Sequence, residues 1–196
     1  MYELRSARFL AQEMREKILV PGDTAVDATL GNGYDACDLA RLVGPSGHVY
    51  GFDIQEKAIH STRERLTSAG LQDRCTLILS GHEHMREYVS PGVSLIAFNL
   101  GWLPGGDKQI TTCWETTHAA LESALMLLKP GGVCTVCVYP GHDEGSRERD
   151  ELIRFLSLLR PQQYNVLEQR FLNAGTGAPE CLVIQKQLAL SSCAGT

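Results

Sequence analysis

The chain has 196 residues, the size of a single domain. With 43% hydrophobic and 21% charged residues it has an ordinary globular composition. No apolar run approaches the ~20 residues of a membrane span, and the N-terminus carries charges throughout, unlike a secretory signal, so a cytoplasmic location is the expectation. A net charge of −5 argues against a protein coated by nucleic acid, while leaving room for a local basic patch.

Residues 3–18 read as a helix, on which Arg5, Arg8 and Arg15 share a face that is either solvated or in contact with phosphate. A strand at 24–30, a helix at 34–43, a strand at 48–54 and a helix at 56–69 follow. Next come a strand at 75–79, a short helix at 83–88, a strand at 93–100, a helix at 112–128, a strand at 132–139 and a helix at 145–159. Strands at 164–171 and 180–185 close the pattern. The 7 cysteines are odd in number and scattered, which argues against a disulfide framework. Cys134 and Cys137 form a C-x-x-C inside a strand, where residues three apart face opposite sides. Buried packing is therefore expected there rather than a metal or redox centre.

Strands rich in Val, Ile, Leu and Cys, with little polar alternation, suggest burial on both faces. Their alternation with helices predicts an α/β, three-layer fold around a mostly parallel sheet. Residues 173–179 are a turn-rich linker without a helix, so the last two strands should form a C-terminal antiparallel hairpin at one sheet edge. This seven-stranded, Rossmann-like arrangement differs from the six-stranded dinucleotide fold. It resembles the class I S-adenosylmethionine-dependent methyltransferase fold. Residues 1–187 form the one domain and 188–196 a flexible tail.

Between the first strand and the second helix lies Asp-Ala-Thr-Leu-Gly-Asn-Gly-Tyr-Asp-Ala, residues 27–36. Gly31 and Gly33 allow a sharp turn and close approach to a ligand, with Asn32 between them. Alone, the glycines also fit a dinucleotide site, with Ala36 in the third position. Asp27 at the strand end and Asp35 at the helix start favour a ligand with positive groups over a pyrophosphate, although either acid can instead cap a turn. Asp53 ends the second strand, where an acid accepts both hydroxyls of a ribose, and Gln55 is in reach of the same sugar. Gly81 and His82 end the third strand, beside the expected adenine edge; His82 also reads as a helix-start residue.

Residues 99–106, Asn-Leu-Gly-Trp-Leu-Pro-Gly-Gly, directly follow the apolar run 93–98. The Asn99 side-chain oxygen and the Leu100 carbonyl can both accept hydrogen bonds from one nitrogen and aim its lone pair. Trp102 offers a surface for stacking a base. This loop resembles the Asn-Pro-Pro-aromatic loop of amino-methyltransferases, with Leu-Gly in place of Pro-Pro. An alkylamine arrives mostly protonated, since its reference pKa is ~10.4, so a proton must leave. Asp107, His142 and Tyr139 are the candidates to take it.

Together, residues 27–35, 51–55, 99–108 with Thr111-Thr112, 128–132 and 139–142 with Glu144-Gly145 resemble the YtqB-like family, long labelled rRNA methylases. The similarity spans residue 1 to about 187. It implies S-adenosyl-L-methionine as cofactor and the aminomethyl group of wobble 5-aminomethyl-2-thiouridine as substrate. The implied partner is a tRNA anticodon stem-loop, and the implied assembly a homodimer. Lys108, Arg147 and Arg149 would then meet anticodon phosphates, or else are ordinary solvated charges. Competing readings are an rRNA or small-molecule amine methyltransferase, an NAD-dependent oxidoreductase, and a non-catalytic cofactor-binding module.

Overall fold

A computed structural model describes residues 6–175 and 177–188. Arg5 and Cys193 therefore lie outside the described residues, as does the expected tail beyond Leu188. The elements run α1 (Ala7–Ile18), β1 (Thr24–Asp27), α2 (Tyr34–Val43), β2 (His48–Asp53), α3 (Glu56–Ser68) and β3 (Cys75–Leu79). Then follow β4 (Val93–Asn99), α4 (Trp114–Leu127), β5 (Leu128–Val138), α5 (Asp143–Ser157), β6 (Tyr164–Gln169) and β7 (Glu180–Lys186). Short 3₁₀ turns occupy Gln72–Arg74 and His82–Glu87.

The sheet has 7 strands in the order β3-β2-β1-β4-β5-β7-β6. β1 to β5 are parallel; β7 runs antiparallel to β5, and β6 antiparallel to β7. The predicted hairpin thus lies at a sheet edge, with β7 inside and β6 outside. Every β4 residue from Val93 to Phe98 is buried, as an apolar run covered on both faces requires.

Side chains of alternate parity build two cores. On one face, Val26, Phe52, Ile96, Phe98, Cys134 and Val136 pack with α4, α5 and Met85. On the other, Ala25, Val49, Leu95 and Ala97 pack with α2 and the end of α3. Cys137, Cys181 and Val183 meet the Ala7 and Ala11 stripe of α1. Cys134 and Cys137 therefore sit on opposite sides of the sheet.

Several boundaries differ from the sequence reading, each for a local reason. β1 stops at Asp27, because its Oδ1 accepts from Thr29 N at 3.2 Å and turns the chain. β5 starts at Leu128, earlier than expected. Val93 pairs with Leu128 and Leu95 with Val133, so Lys129 to Gly132 loop out of the ladder. α5 begins at Asp143, because His142 Nδ1 accepts from Gly145 N at 3.1 Å and caps it. α4 begins only at Trp114, since the Thr112 hydroxyl is engaged elsewhere.

Candidate active site

The C-terminal ends of β1, β2 and β4 open into a cleft of about 580 Å³. It lies between β1 and β4, where the strand order reverses and open α/β sheets receive ligands.

One wall is mainly backbone. Gly31 and Gly33 hold φ at 50° and 76°, conformations that side chains disfavour. A Cβ on Gly33 would stand 2.7 Å from Thr62 Oγ1. Asp53 Oδ2 accepts from Gly31 N at 3.0 Å and its Oδ1 from Gln55 N at 2.9 Å, so one carboxylate ties the glycine loop to the end of β2. Burial raises the Asp53 pKa. Ser80, Gly81 and His82 continue this wall. The His82 Nδ1 must donate to the Ala28 carbonyl 3.2 Å away, because a carbonyl only accepts. Burial lowers the His82 pKa, so the ring is held neutral with Nε2 as an acceptor.

The opposite wall is held by side chains. Asn99 ends β4; its N donates to Thr29 Oγ1 at 2.7 Å and its Nδ2 to Asp35 Oδ2 at 2.8 Å. Asp35 also accepts from Arg8 Nη2 at 2.9 Å and Arg15 Nη2 at 2.8 Å. Burial pushes the Asp35 pKa up, but Arg15 and Arg8 outweigh it and leave the pKa lowered. Asn99 Oδ1 is buried and has no partner among the described residues.

Beyond Asn99 the loop doubles back through a bridge between Trp102 and Thr111. The Trp102 ring lies 4.5 Å from the His142 ring, with Lys108 Nζ 5.5 Å from its centroid. Gly101 N donates to Thr112 Oγ1 at 2.8 Å, and that hydroxyl donates to Glu148 Oε2 at 2.8 Å. Thr117 Oγ1 donates to Glu148 Oε1 at 2.6 Å. Glu148 is 1% exposed, and burial raises its pKa. The two walls also touch: Asn32 Nδ2 donates to the Pro104 carbonyl at 3.3 Å.

The cleft wall holds Gly31, Asn32, Asp35, Asp53 and Gln55, and also Gly81, His82, Asn99 and Trp102. Five other expected positions stand off it. Gly33 caps α2. Leu100 is buried, its N donating to the Cys137 carbonyl at 2.9 Å. Asp27 is fully buried beneath the loop, where burial, and then the Asp35 charge, push its carboxyl up to about 7. Asp107 is exposed and accepts from Gln109 N at 2.9 Å. His142 Nδ1 accepts from Gly145 N at the α5 cap, and its Nε2 is buried with no partner among the described residues.

These positions correct the sequence expectations. Two free carboxylates do not await a cation at the loop, since Asp35 is already neutralised by Arg8 and Arg15. Asp107 and His142 are not among the cleft-lining residues, although the His142 ring packs against Trp102, which is. Tyr139 is on the wall, but burial pushes its phenol up to about 12, so it keeps its own proton at neutral pH. Arg15, read as surface or phosphate-facing, is 1% exposed against Asp35. Arg149 is drawn to Glu180 at 2.9 Å and Glu168 at 3.2 Å, and Arg147 to Glu115 at 3.0 Å.

Arg15, Thr29, Thr112 and Glu148 were not legible as site residues. Arg8 and Arg15 did carry a signal: they share a face of α1 with the small residues Ala7 and Ala11, which the fold buries. Small residues on a helix stripe allow close packing, and Arg15, on the stripe of Ala7 and Ala11, is buried with them while Arg8 stays half exposed.

The mostly parallel sheet with its switch-point cleft is the Rossmann-like fold of the methyltransferases that this chain resembles in structure. The family described as "Putative rRNA methylase" matches residues 49–185, and the chain belongs to it. Over 183 residues it is 36% identical to the chloroplastic tRNA (mnm(5)s(2)U34)-methyltransferase of Arabidopsis thaliana, covering 88% of this chain and 67% of that protein. The crystal structure of an rRNA methylase homologue from Clostridium thermocellum superposes with a TM-score of 0.93 at 40% identity, over 94% of this chain and 100% of that one. A methyltransferase homologue from Streptococcus mutans, solved in complex with SAH, gives 0.85 at 31% identity, over 94% and 99%.

Proposed function

We propose that the protein transfers the methyl group of S-adenosyl-L-methionine to the aminomethyl nitrogen of wobble 5-aminomethyl-2-thiouridine in tRNA. The product is the methylaminomethyl nucleoside. The observation that carries the reaction type is Asn99, an amide on the cleft wall whose NH₂ is committed and whose oxygen is not. The tRNA reading draws on the similarity to the plant chloroplast enzyme.

The cleft suits a nucleoside without a pyrophosphate. Gly31 N–H, which a dinucleotide loop would offer to phosphate, is given to Asp53, and Gly33 N–H to the Leu30 carbonyl. Of the cleft-lining residues, Asp53 and Gln55 would hold the ribose hydroxyls, Gly81 and His82 the adenine edge, and Gly31 and Asn32 the rest of the cofactor. When bound, the cofactor supplies an electrophilic methyl on a sulfonium sulfur.

Asn99 Oδ1 accepts an N–H of the incoming amine and points its lone pair along the displacement line. Trp102 lies beside it as a stacking surface for the base. The N–C bond forms as the C–S bond breaks, and the nitrogen sheds a proton to solvent. Of Asp107, His142 and Tyr139 only Tyr139 lines the cleft, and burial pushes its phenol up to about 12, so it keeps its proton and the free-amine fraction is the form that reacts. The rate therefore rises with pH toward the amine pKa.

The decisive assay incubates the protein with S-adenosylmethionine and tRNA carrying or lacking the aminomethyl group, followed by nucleoside mass spectrometry. Conversion only of the aminomethyl nucleoside supports the reading. Methylation of rRNA or of free small amines, with tRNA untouched, overturns the substrate. The family resemblance implies a homodimer, which sedimentation tests, and cell fractionation tests the cytoplasmic location. Among the described residues no helix is long and apolar enough to cross a membrane.

A further inference from the structure

The sequence groups Asp35 with the cofactor residues, yet its contacts run to Asn99 and to α1. We infer that Asp35 is a positioning residue for the reacting nitrogen: clamped by Arg8 and Arg15, it fixes which end of the Asn99 amide meets the nucleophile. The inference rests on the amine-methyltransferase reading above.

A terminal amide can turn over and exchange its oxygen and NH₂ with almost no change of shape. In an acceptor-lined or watery setting both orientations are populated. Here the partner is a carboxylate, which only accepts. Both guanidiniums keep it ionised, one on each oxygen: Arg8 on Oδ1 and Arg15 on Oδ2. The reversed amide would set oxygen against oxygen. Nδ2 must therefore face Asp35, leaving Oδ1 as the amide atom with nothing to accept from. An atom offered to it has to carry a hydrogen, as a primary amine does and a thioether or tertiary amine does not.

Arg15 shows what the arrangement requires. An arginine 1% exposed, with Nε and Nη1 lacking partners among the described residues, is an expensive group to place inside a protein. A salt bridge serving only to join α1 to α2 could lie at the surface at far lower cost. Burial keeps water from competing for the carboxylate and so keeps the amide in one orientation. Helix α1 thus contributes to the chemistry through two residues that bind no substrate in this scheme.

The test uses the full chain with Asp35→Asn, Asn99→Ala and the double variant. Calorimetry gives the S-adenosylmethionine Kd, and steady-state assays on aminomethyl tRNA give kcat and KM. For Asp35→Asn, kcat should fall at least ~10-fold, with Kd and KM within ~3-fold of wild type. In the Asn99→Ala background the same change should cost less than ~2-fold, because a residue acting through Asn99 has nothing left to orient. A Kd weakened ~10-fold or more with kcat retained would return Asp35 to the cofactor. Losses that multiply in the double variant would place its action elsewhere.

Should Asp35→Asn fail to fold, Asp35→Asn with Arg15→Met removes the stranded charge and gives the same readings. NMR supplies a readout independent of tRNA. One side-chain amide proton of Asn99 should exchange slowly with solvent in the wild type and quickly in Asp35→Asn. Equal exchange rates would overturn the clamp. Slow exchange in a wild type that methylates no tRNA would keep the clamp and sink the substrate.

Discussion

The two walls of the cleft are built by different means. The wall at the ends of β1 and β2 rests on glycine conformation and one carboxylate accepting two backbone N–H groups, one 22 residues away and one 2 away. The wall at the ends of β4 and β5 rests on side chains reaching across the fold: Asn99 to Asp35 over 64 residues, and Thr112 to Glu148 over 36. A backbone-built wall tolerates change in its side chains and fails when a glycine or the tying acid is altered. A network-built wall can be loosened from beneath, by residues that never meet a ligand.

The first way to probe this contrast is through Asp27, under the backbone-built wall. Its pKa of about 7 in the fold stands above an ordinary value of 3.8. Between those values the folded state keeps a proton that the unfolded chain has released. This contribution is therefore present at acid pH and is lost as pH rises from about 4 to about 7. Asp27→Asn removes the titration. The stability of wild type relative to this variant should fall by up to about 4 kcal/mol from pH 4 to pH 8. Urea unfolding at several pH values measures it, and parallel curves would show that Asp27 does not titrate in that range.

Glu148 probes the other wall. Glu148→Ala leaves the hydroxyls of Thr112 and Thr117 without their acceptor and opens space at a 1% exposed site. A loss of about 2–4 kcal/mol is expected. At permissive temperature kcat should fall more than S-adenosylmethionine affinity, because the Gly101 N–H hangs from the same threonine. Glu148→Gln keeps one acceptor and should recover much of the stability. If kcat and stability fell in unrelated proportions across these variants, the loop would not be held this way.

Asn99→Ala should lower kcat at least ~10-fold, since orientation of the reacting nitrogen is removed. Its effect on cofactor affinity should be small, because the first wall is untouched. An unchanged kcat would move the chemistry away from the end of β4.

The contrast also explains what the sequence disclosed. Strand–helix alternation, the hairpin and the Gly31–Gly33 turn are local patterns, and local sterics make them readable; Asp53 was legible from its place at the end of the second strand. The opposite faces of Cys134 and Cys137 followed from strand geometry alone. Arg15 to Asp35, Thr29 to Asn99 and Glu148 to Thr112 join residues 20, 70 and 36 apart, and no periodicity announces such pairs. The cap role of His142 was hidden for a related reason: an imidazole near a strand end suits a base and a helix cap equally, and only the fold shows the Gly145 N–H at 3.1 Å. Asp35 misled because an acid at a helix start looks unpaired until α1 is folded against it.

The smallest expected effect concerns the rim, where the same question of committed against free groups separates three cations. Arg149 and Arg147 are paired with acids in the fold, whereas Lys108 is exposed above Trp102, its Nζ 5.5 Å from the ring centroid. A phosphate therefore competes with carboxylates at the arginines and only with water and the ring at Lys108. Lys108→Ala should raise KM for tRNA by a few fold, leave kcat and cofactor Kd alone, and reduce the salt slope of tRNA binding by about 1. Arg149→Ala should instead lower stability by about 1 kcal/mol or less, with the salt slope unchanged. Filter binding at several salt concentrations compares the two directly. A slope that responds to Arg149 and not to Lys108 would mean that RNA displaces Glu180 and Glu168, and that the rim reorganises on binding.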